Sequence, residues 1–157
     1  MYTRGGRAYG EAMKLHELDA HLRELLRLDE YERTDVSWNG VQIECSDKEI
    51  RRVAVAVDAA AETVARAADW NADLLFVHHG LFWGRAQRVT GIHYRRLQSF
   101  LANDIGLYAV HLPLDAHETL GNNAVMAAKL GLANRRPFGD YKGTTIGWAG
   151  ELPEPMT

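Results

Sequence analysis

Three short apolar segments, separated from one another by helical patterns, constrain the fold of this chain most strongly. They read RVAVAVD (52–58), DLLFV (73–77) and LYAVH (107–111). Each is apolar at consecutive positions, which is typical of strands that are buried on both faces of a sheet. Strands that alternate with helices predict a largely parallel sheet flanked by helices, so the sequence predicts an α/β fold.

The remaining elements follow from periodicity and from turn residues. Leucines at 15, 18, 22, 25 and 26 predict an amphipathic helix over residues 14–28. We predict a short strand over 41–43 after the Asn-Gly turn and a fourth strand over 144–150. Further helices are predicted over 59–70, around 94–101 and over 123–131, with a loop over 111–121.

Two parts of the chain differ in character. Residues 1–13 show no periodicity, and we expect them to form a loose N-terminal extension. Residues 14–157 contain no repeat or low-complexity segment and are expected to form a single domain. The length of this part fits one ordinary domain.

Composition narrows the classes of function. The formal net charge of −3 argues against a nucleic-acid surface, which is normally basic. The single cysteine, Cys45, excludes an intrachain disulfide and favours a reducing compartment. No apolar run approaches the roughly 20 residues that span a bilayer, so no membrane association is expected and the predicted location is the cytoplasm.

Histidines follow two of the predicted strands at the point where each strand ends. His78 and His79 follow DLLFV, and His111 ends LYAVH, with Asp115 and His117 shortly after. Because ligands bind beyond the carboxyl ends of strands in an open α/β sheet, these side chains are expected to meet at one edge. Imidazoles with a carboxylate suit divalent zinc, iron, manganese or nickel.

The adjacency of His78 and His79 limits how they can act. Neighbouring side chains of a strand point to opposite faces, so we expect the pair to lie past the strand end, where each can serve a different metal with Asp115 as a bridge. Gly80 is expected to permit a tight turn there. A histidine at a strand end is also commonly a structural residue, and spacing alone leaves both interpretations open. Asp58 is interpreted as a helix cap in preference to a residue of the site.

Four segments together resemble a known family. They are NGVQIE (39–44), VAVAVD (53–58), ADLLFVHHGLFWG (72–84) and LANDIGLYAVHLPLDAHETLGNNAVMAAKLGL (101–132). These segments are similar to the Nif-three-like dinuclear metal centre proteins, which are often called type-two GTP cyclohydrolase I. The resemblance extends from about residue 15 onward.

The resemblance implies a site, an assembly and a length. It implies metal ligands at His78, His79 and Asp115. From their place in the sequence, His111 and His117 are expected in supporting positions beside these ligands. The resemblance also implies a homohexamer, and a chain that corresponds to the N-terminal half of the family's fold. The family has a further His and Glu ligand near its C-terminus, whereas no histidine follows His117 here. We therefore expect at most one tightly bound metal, and a sheet edge or apolar face left uncovered.

Two functions remain open at this stage. The first is a metal-dependent hydrolase of a nucleotide or related heterocycle, with His111 or His117 as a proton shuttle. The second is a non-catalytic metal-binding or regulatory oligomer. The chain has no Gly-rich phosphate loop of the G-x-x-x-x-G-K-[ST] type, which weakens the case for GTP in particular.

Overall fold

The structure is a computed structural model, and it describes residues 13–154. Its helices are α1 (Leu15–Leu26), α2 (Ala61–Asp69), α3 (Gly91–Ala102), α4 (Leu112–Ala116) and α5 (Asn122–Lys129). Its strands are β1 (Met13–Lys14), β2 (Gly40–Ile43), β3 (Glu49–Ile50), β4 (Val53–Asp58), β5 (Leu74–His79), β6 (Gly106–Ala109), β7 (Ala133–Tyr141) and β8 (Thr144–Glu151). A 3-10 turn (Leu28–Tyr31) follows α1.

The main sheet has four strands in the order β2-β6-β5-β4. Strands β4, β5 and β6 are parallel, and β2 is antiparallel to β6 at one edge. The prediction of a largely parallel sheet flanked by helices is therefore confirmed. Within the described residues, no helix is long and apolar enough to cross a membrane.

Helices cover both faces of this sheet, so the core has two parts. One face packs against α2 and α3 through side chains that include Val64, Phe100 and Val77. The other packs against α1, with Leu74 and Tyr108 fully buried beneath it. Burial of such side chains stabilises the fold by roughly 1.5–3 kcal/mol each, which explains why the apolar runs of β5 and β6 predict their position well.

The first predicted strand differs from its neighbours. Residues 52–58 are predicted to be buried on both faces, but β4 is an edge strand and only one of its faces is covered. Ala54 and Ala56 pack against the core, whereas Val55 is 77% exposed. The prediction was wrong because α1 packs over β5 and β6 and does not reach β4, and an apolar sequence does not reveal which strand lies at an edge.

The C-terminal part of the described chain also departs from the prediction. Residues 144–150 form a strand, but β8 pairs antiparallel with β7 in a separate two-stranded ribbon and does not join the main sheet. The sequence analysis missed β7. The ribbon packs through β8 on α4 and α5, and every residue of β7 is exposed, so β7 has no apolar periodicity to detect.

The segment before α5 and the N-terminal end of the described chain also differ from the prediction. The loop predicted over 111–121 contains the short helix α4, whose Pro113 occupies the first turn, where a missing N–H does no harm. The predicted N-terminal extension falls largely outside the described residues. Its last residue, Met13, pairs with Ile50 in a two-stranded antiparallel sheet, so that residue is not loose.

Candidate metal centre

The register of the parallel strands brings the chemical groups to one edge of the sheet. Asp58, at the end of β4, lies opposite His79, at the end of β5. Val77 pairs with Ala109 of β6, and His79 and His111 each lie two residues further along the chain. The two histidines therefore lie at the same level of the sheet. This is the carboxyl edge at which the sequence predicted a site.

Three histidines come together at this edge. One ring nitrogen from each of His78, His79 and His111 lies within 4.8 Å of the others. The ring centroids of His78 and His79 are 4.5 Å apart, and those of His78 and His111 are 5.0 Å apart. The expectation that the adjacent pair lies past the strand end was wrong, since both belong to β5. The two rings nevertheless lie close together at the last two positions of this strand.

Hydrogen bonds orient each of the three rings. The Nδ1 of His78 lies 3.0 Å from the Val110 carbonyl oxygen, and the Nδ1 of His79 lies 2.7 Å from Asp58 Oδ1. The Nδ1 of His111 lies 2.9 Å from Asp35 Oδ1. Each partner is an acceptor, so each Nδ1 carries the ring proton and donates it. The Nε2 lone pairs are therefore the ones available to a ligand.

The role assigned to Asp58 from the sequence was wrong. The N-cap of α2 is Ala60, and its side chain makes no cap hydrogen bond. Asp58 instead accepts the proton of His79 Nδ1. A carboxylate behind a histidine fixes the tautomer of the ring and raises its basicity as a ligand.

Asp115 lies beside the histidine cluster. Its Oδ2 is 3.6 Å from His78 Nε2, and its Oδ1 accepts a hydrogen bond from Asn122 Nδ2 at 3.1 Å. Asn123, on the same helix, donates to the Asp115 carbonyl oxygen and to the Ile146 carbonyl oxygen. The two asparagines, both in α5, thus hold the α4 segment that carries Asp115.

His117 lies outside the histidine cluster and has a structural role. Its Nδ1 accepts hydrogen bonds from the Thr119 and Leu120 amides, and its Nε2 donates to the Leu25 carbonyl oxygen at 3.1 Å. This tautomer is opposite to that of the three clustered histidines. Both ring nitrogens are engaged, so the structure gives His117 no free lone pair with which to support the cluster.

Asp35 is the residue of the site that the sequence analysis missed. Its side chain is 1% exposed, and its two oxygens accept hydrogen bonds from His111 Nδ1, Asn39 Nδ2 and two backbone amides. Burial alone would raise the pKa of Asp35, but these hydrogen bonds outweigh it and hold the pKa below the usual 3.8. The carboxylate is therefore charged at neutral pH.

A backbone connection explains how Asp35 reaches the site. Residues 36–38 lie against residues 82–84, since Gly84 N donates to the Val36 carbonyl oxygen and Trp38 N donates to the Phe82 carbonyl oxygen. Gln42 strengthens this contact, because its Oε1 accepts the amides of Leu81 and Phe82.

Gly80 is required for this contact for a reason different from the one expected. Its φ is not among the positive values of the described chain, so no left-handed turn demands glycine there. A Cβ at position 80 would lie 2.3 Å from Gln42 Oε1. Glycine is therefore needed because the Gln42 side chain occupies that space.

Aromatic side chains flank the cluster. The Trp83 ring meets the His111 ring edge-on with centroids 5.0 Å apart, and its Nε1 donates to the Gly80 carbonyl oxygen. The His79 ring is 6.0 Å from the same indole. Trp83 is partly exposed, so it forms a wall of the site that a ligand can contact.

The fold and this edge define an α/β protein with a three-histidine candidate metal centre at the ends of parallel strands. Residues 13–157 match the family Duf34/NIF3 (NGG1p interacting factor 3), and the chain belongs to that family.

Relatives of known name support this membership. The chain is 49% identical over 145 residues to "GTP cyclohydrolase 1 type 2 homolog" of Treponema pallidum, covering 92% of this chain and 51% of the relative. It is 50% identical over 140 residues to the protein of the same name in Deinococcus radiodurans, covering 89% and 52%. The chain thus spans about half the length of these curated relatives.

Solved structures agree with the fold. TTHA1606 from Thermus thermophilus superposes with a TM-score of 0.76 at 44% identity, over 80% of this chain and 51% of that chain. Reduced HcgD from Methanocaldococcus jannaschii superposes with a TM-score of 0.73 at 30% identity, over 83% and 52%.

Proposed function

We propose that this protein binds a divalent metal ion through the Nε2 atoms of His78, His79 and His111. The observation that carries the proposal is the convergence of three ring nitrogens within 4.8 Å, with every Nδ1 already donating elsewhere. Three protein ligands with one open position are the usual donor set of a catalytic zinc ion. The donors fit zinc, and they also fit iron, manganese or nickel.

The geometry supports one tight ion per chain. Within the described residues, the cluster offers three nitrogens, and Asp115 Oδ2 lies 3.6 Å from the Nε2 of His78. Two ions that shared this set would each have too few donors, since one catalytic zinc normally takes three. Asp115 is then a fourth ligand or a neighbouring base and need not bridge two ions.

We propose that the reaction is hydrolysis of a nucleotide or a related heterocycle. The names of the relatives support this class of substrate. A divalent ion at the cluster would supply Lewis acidity to such a reaction. The protein itself would contribute Asp115, placed to hold a proton beside the cluster, and Trp83, whose indole can contact a planar ring.

The second candidate is a metal-binding protein without turnover. The observation that favours it is the donor count, because three nitrogens and one carboxylate can hold an ion without leaving a ready position for substrate. Hydrolysis of GTP assayed with zinc and with a chelator separates the two functions. Turnover that needs metal and is lost in Asp115→Ala supports the hydrolase, whereas tight metal binding with no turnover supports the alternative.

The binding proposal itself is tested by competition titration of zinc against a chromophoric chelator. Wild type is expected to bind one equivalent tightly, and His79→Ala and His111→Ala are each expected to weaken binding about 10-fold or more. His21→Ala, an exposed histidine of α1, is the control and is expected to bind as wild type does. Two equivalent tight sites, or equal affinities in all four proteins, would contradict the proposal.

We also propose that the protein assembles with copies of itself, with a hexamer as the size that the family resemblance implies. The uncovered face of β4 supports this, because it presents exposed valines at an edge of the sheet. Light scattering coupled to size-exclusion chromatography measures the mass directly. A monomer at all concentrations would contradict the proposal.

A further inference from the structure

Asp35 differs from the other hydrogen-bonding partners of the cluster in how completely it is enclosed. Its Oδ1 accepts from His111 Nδ1 and from the Ser37 amide, both at 2.9 Å. Its Oδ2 accepts from Asn39 Nδ2 and from the Leu112 amide, also at 2.9 Å. All four partners are N–H donors, and the side chain is 1% exposed. The carboxylate is therefore shielded from water, and its hydrogen bonds come from the protein.

Asp58 provides the internal comparison. It occupies the corresponding position behind His79, at 2.7 Å from Nδ1, but its side chain is 61% exposed. Water can accept the proton of His79 Nδ1 if that carboxylate is lost. The two aspartates thus make the same contact in opposite solvent environments.

Asn39 makes a second hydrogen bond to His111, at its backbone. Its Oδ1 accepts the His111 backbone amide at 2.8 Å, while its Nδ2 donates to Asp35. The segment from Asp35 to Asn39 is therefore hydrogen-bonded to both the main chain and the ring of His111. His79 has a similar pair of contacts from residues 58–59, since Asp58 accepts from its ring and Ala59 N donates to its carbonyl oxygen at 3.0 Å, but there the carboxylate is exposed.

We infer that Asp35 is a positioning residue that fixes the tautomer of His111 and so decides whether the cluster presents three ligand nitrogens or two. This inference rests on the proposed metal site and adds how one of its three ligands is kept in the binding tautomer. With the proton held on Nδ1, the Nε2 of His111 keeps its lone pair. Without the buried carboxylate, the proton is free to move to Nε2, and a protonated nitrogen is not a ligand.

The chemistry requires a carboxylate and not only an oxygen. In Asp35→Asn, an NH₂ group replaces one of the two oxygens and therefore faces two N–H donors. If it faces His111 and Ser37, the ring must turn its Nδ1 into an acceptor, which moves the proton to Nε2. If it faces Asn39 and Leu112, it meets two N–H donors that cannot both change, because a flipped Asn39 amide would turn its own NH₂ toward the His111 backbone N–H. That orientation leaves two opposed pairs of donors, whereas the first leaves only the Ser37 amide opposed, so the first is favoured. Asp58→Asn has no such conflict, since its surroundings are open to water.

The test measures the tautomer and the zinc affinity separately. Long-range ¹H–¹⁵N spectra of the metal-free protein with ¹⁵N-labelled histidine report which ring nitrogen is protonated, and His111→Ala identifies the signal. We expect Nδ1–H at His111 in wild type and a signal shifted toward Nε2–H in Asp35→Asn. Zinc affinity is expected to fall about 10- to 100-fold in Asp35→Asn and by a smaller factor in Asp58→Asn, where water can take the place of the carboxylate.

Each result is decisive. Nε2–H at His111 in wild type overturns the inference without any variant, which keeps the test valid if Asp35→Asn does not fold. An unchanged tautomer in Asp35→Asn, or zinc affinities equal in the two aspartate variants, also overturns it. If wild type shows Nδ1–H, Asp35→Asn loses it, and neither protein binds zinc, the metal function fails while the control of the His111 tautomer by Asp35 stands.

Discussion

His111 and His117 lie six positions apart, and their rings have opposite proton arrangements. His111 donates from Nδ1 and leaves Nε2 free, whereas His117 accepts at Nδ1 and donates from Nε2. The partners of a ring, and not its place in the sequence, thus separate a candidate ligand from a structural histidine. The motif alone suggested the same supporting position for both.

The first prediction compares these two residues by substitution. His117→Ala leaves two amides and one carbonyl without their partner, so we expect the free energy of unfolding to fall by about 1–2 kcal/mol. Zinc affinity should stay at the wild-type value. His111→Ala, in contrast, should weaken zinc binding about 10-fold or more. Urea denaturation and zinc titration on both variants measure this, and loss of zinc in His117→Ala would contradict the assignment.

The second prediction concerns Gly80 and Gln42. A methyl group at position 80 would collide with a side chain that accepts the amides of Leu81 and Phe82. We expect Gly80→Ala to lower the free energy of unfolding by about 1–3 kcal/mol. The double variant Gly80→Ala with Gln42→Ala should show less than the sum of the two single losses, since the collision is then removed. Additive losses in a thermodynamic cycle would show that the two residues act independently.

At the scale of elements, the paired strands β4 and β5 show what the apolar patterns can and cannot predict. The positions of β4, β5 and β6 were predicted because continuous apolar runs are a local property of the sequence. Which strands pair with each other, and which strand lies at an edge, was not predicted, since both depend on contacts between distant segments. Strand β7 was missed for the related reason that all of its residues are exposed and its sequence includes Pro137 and Gly139.

The third prediction uses two valines from these strands. Val77 in β5 is fully buried, and Val55 in β4 is 77% exposed. Val77→Ala should lower the free energy of unfolding by about 2 kcal/mol, because it removes buried methyl groups and leaves a cavity. Val55→Ala should cost less than about 1 kcal/mol, which is the range of strand propensity alone. Equal losses on chemical denaturation would show that the face of β4 is covered in solution.

The same distinction applies to the site. The meeting of His78, His79 and His111 at one edge followed from the parallel topology, which the sequence predicted. The place of Asp35 in the site could not be predicted in this way. Its hydrogen bond to His111 joins residues 76 positions apart and depends on how residues 36–38 pack against residues 82–84. The Asn39-Gly40 pair predicted a turn, but Gly40 is the first residue of β2, and the pattern carried no sign that Asn39 holds Asp35 and His111.

At the scale of the whole molecule, the edge of the sheet opposite the histidines carries an electrostatic contribution to stability. Asp73 Oδ2 accepts the amides of Arg51 and Arg52, each at 2.9 Å, and Oδ1 lies 3.3 Å from Lys48 Nζ. Burial alone would raise the pKa of Asp73, but these hydrogen bonds and the Lys48 charge outweigh it and lower the pKa below 3.8. The loop before β4 is thereby tied to the start of β5.

The fourth prediction follows from that lowered pKa. A carboxyl group whose pKa is lower in the folded state stabilises the fold above its unfolded pKa, and this stability is lost as the pH falls through the folded pKa. Asp73→Asn should therefore be less stable than wild type at pH 7, and the difference should shrink below about pH 4. Urea denaturation at several pH values measures this, with the exposed Asp69→Asn as control. A difference that stays constant down to pH 2 would contradict the assignment.

The central claim is that three Nε2 atoms at one sheet edge hold one divalent ion. Anomalous diffraction at the zinc edge from crystals grown with zinc tests it most directly. We expect one zinc ion per chain, about 2.0–2.1 Å from the Nε2 atoms of His78, His79 and His111. Zinc bound through an Nδ1 atom, zinc bound only elsewhere on the chain, or an empty cluster at saturating zinc would contradict it.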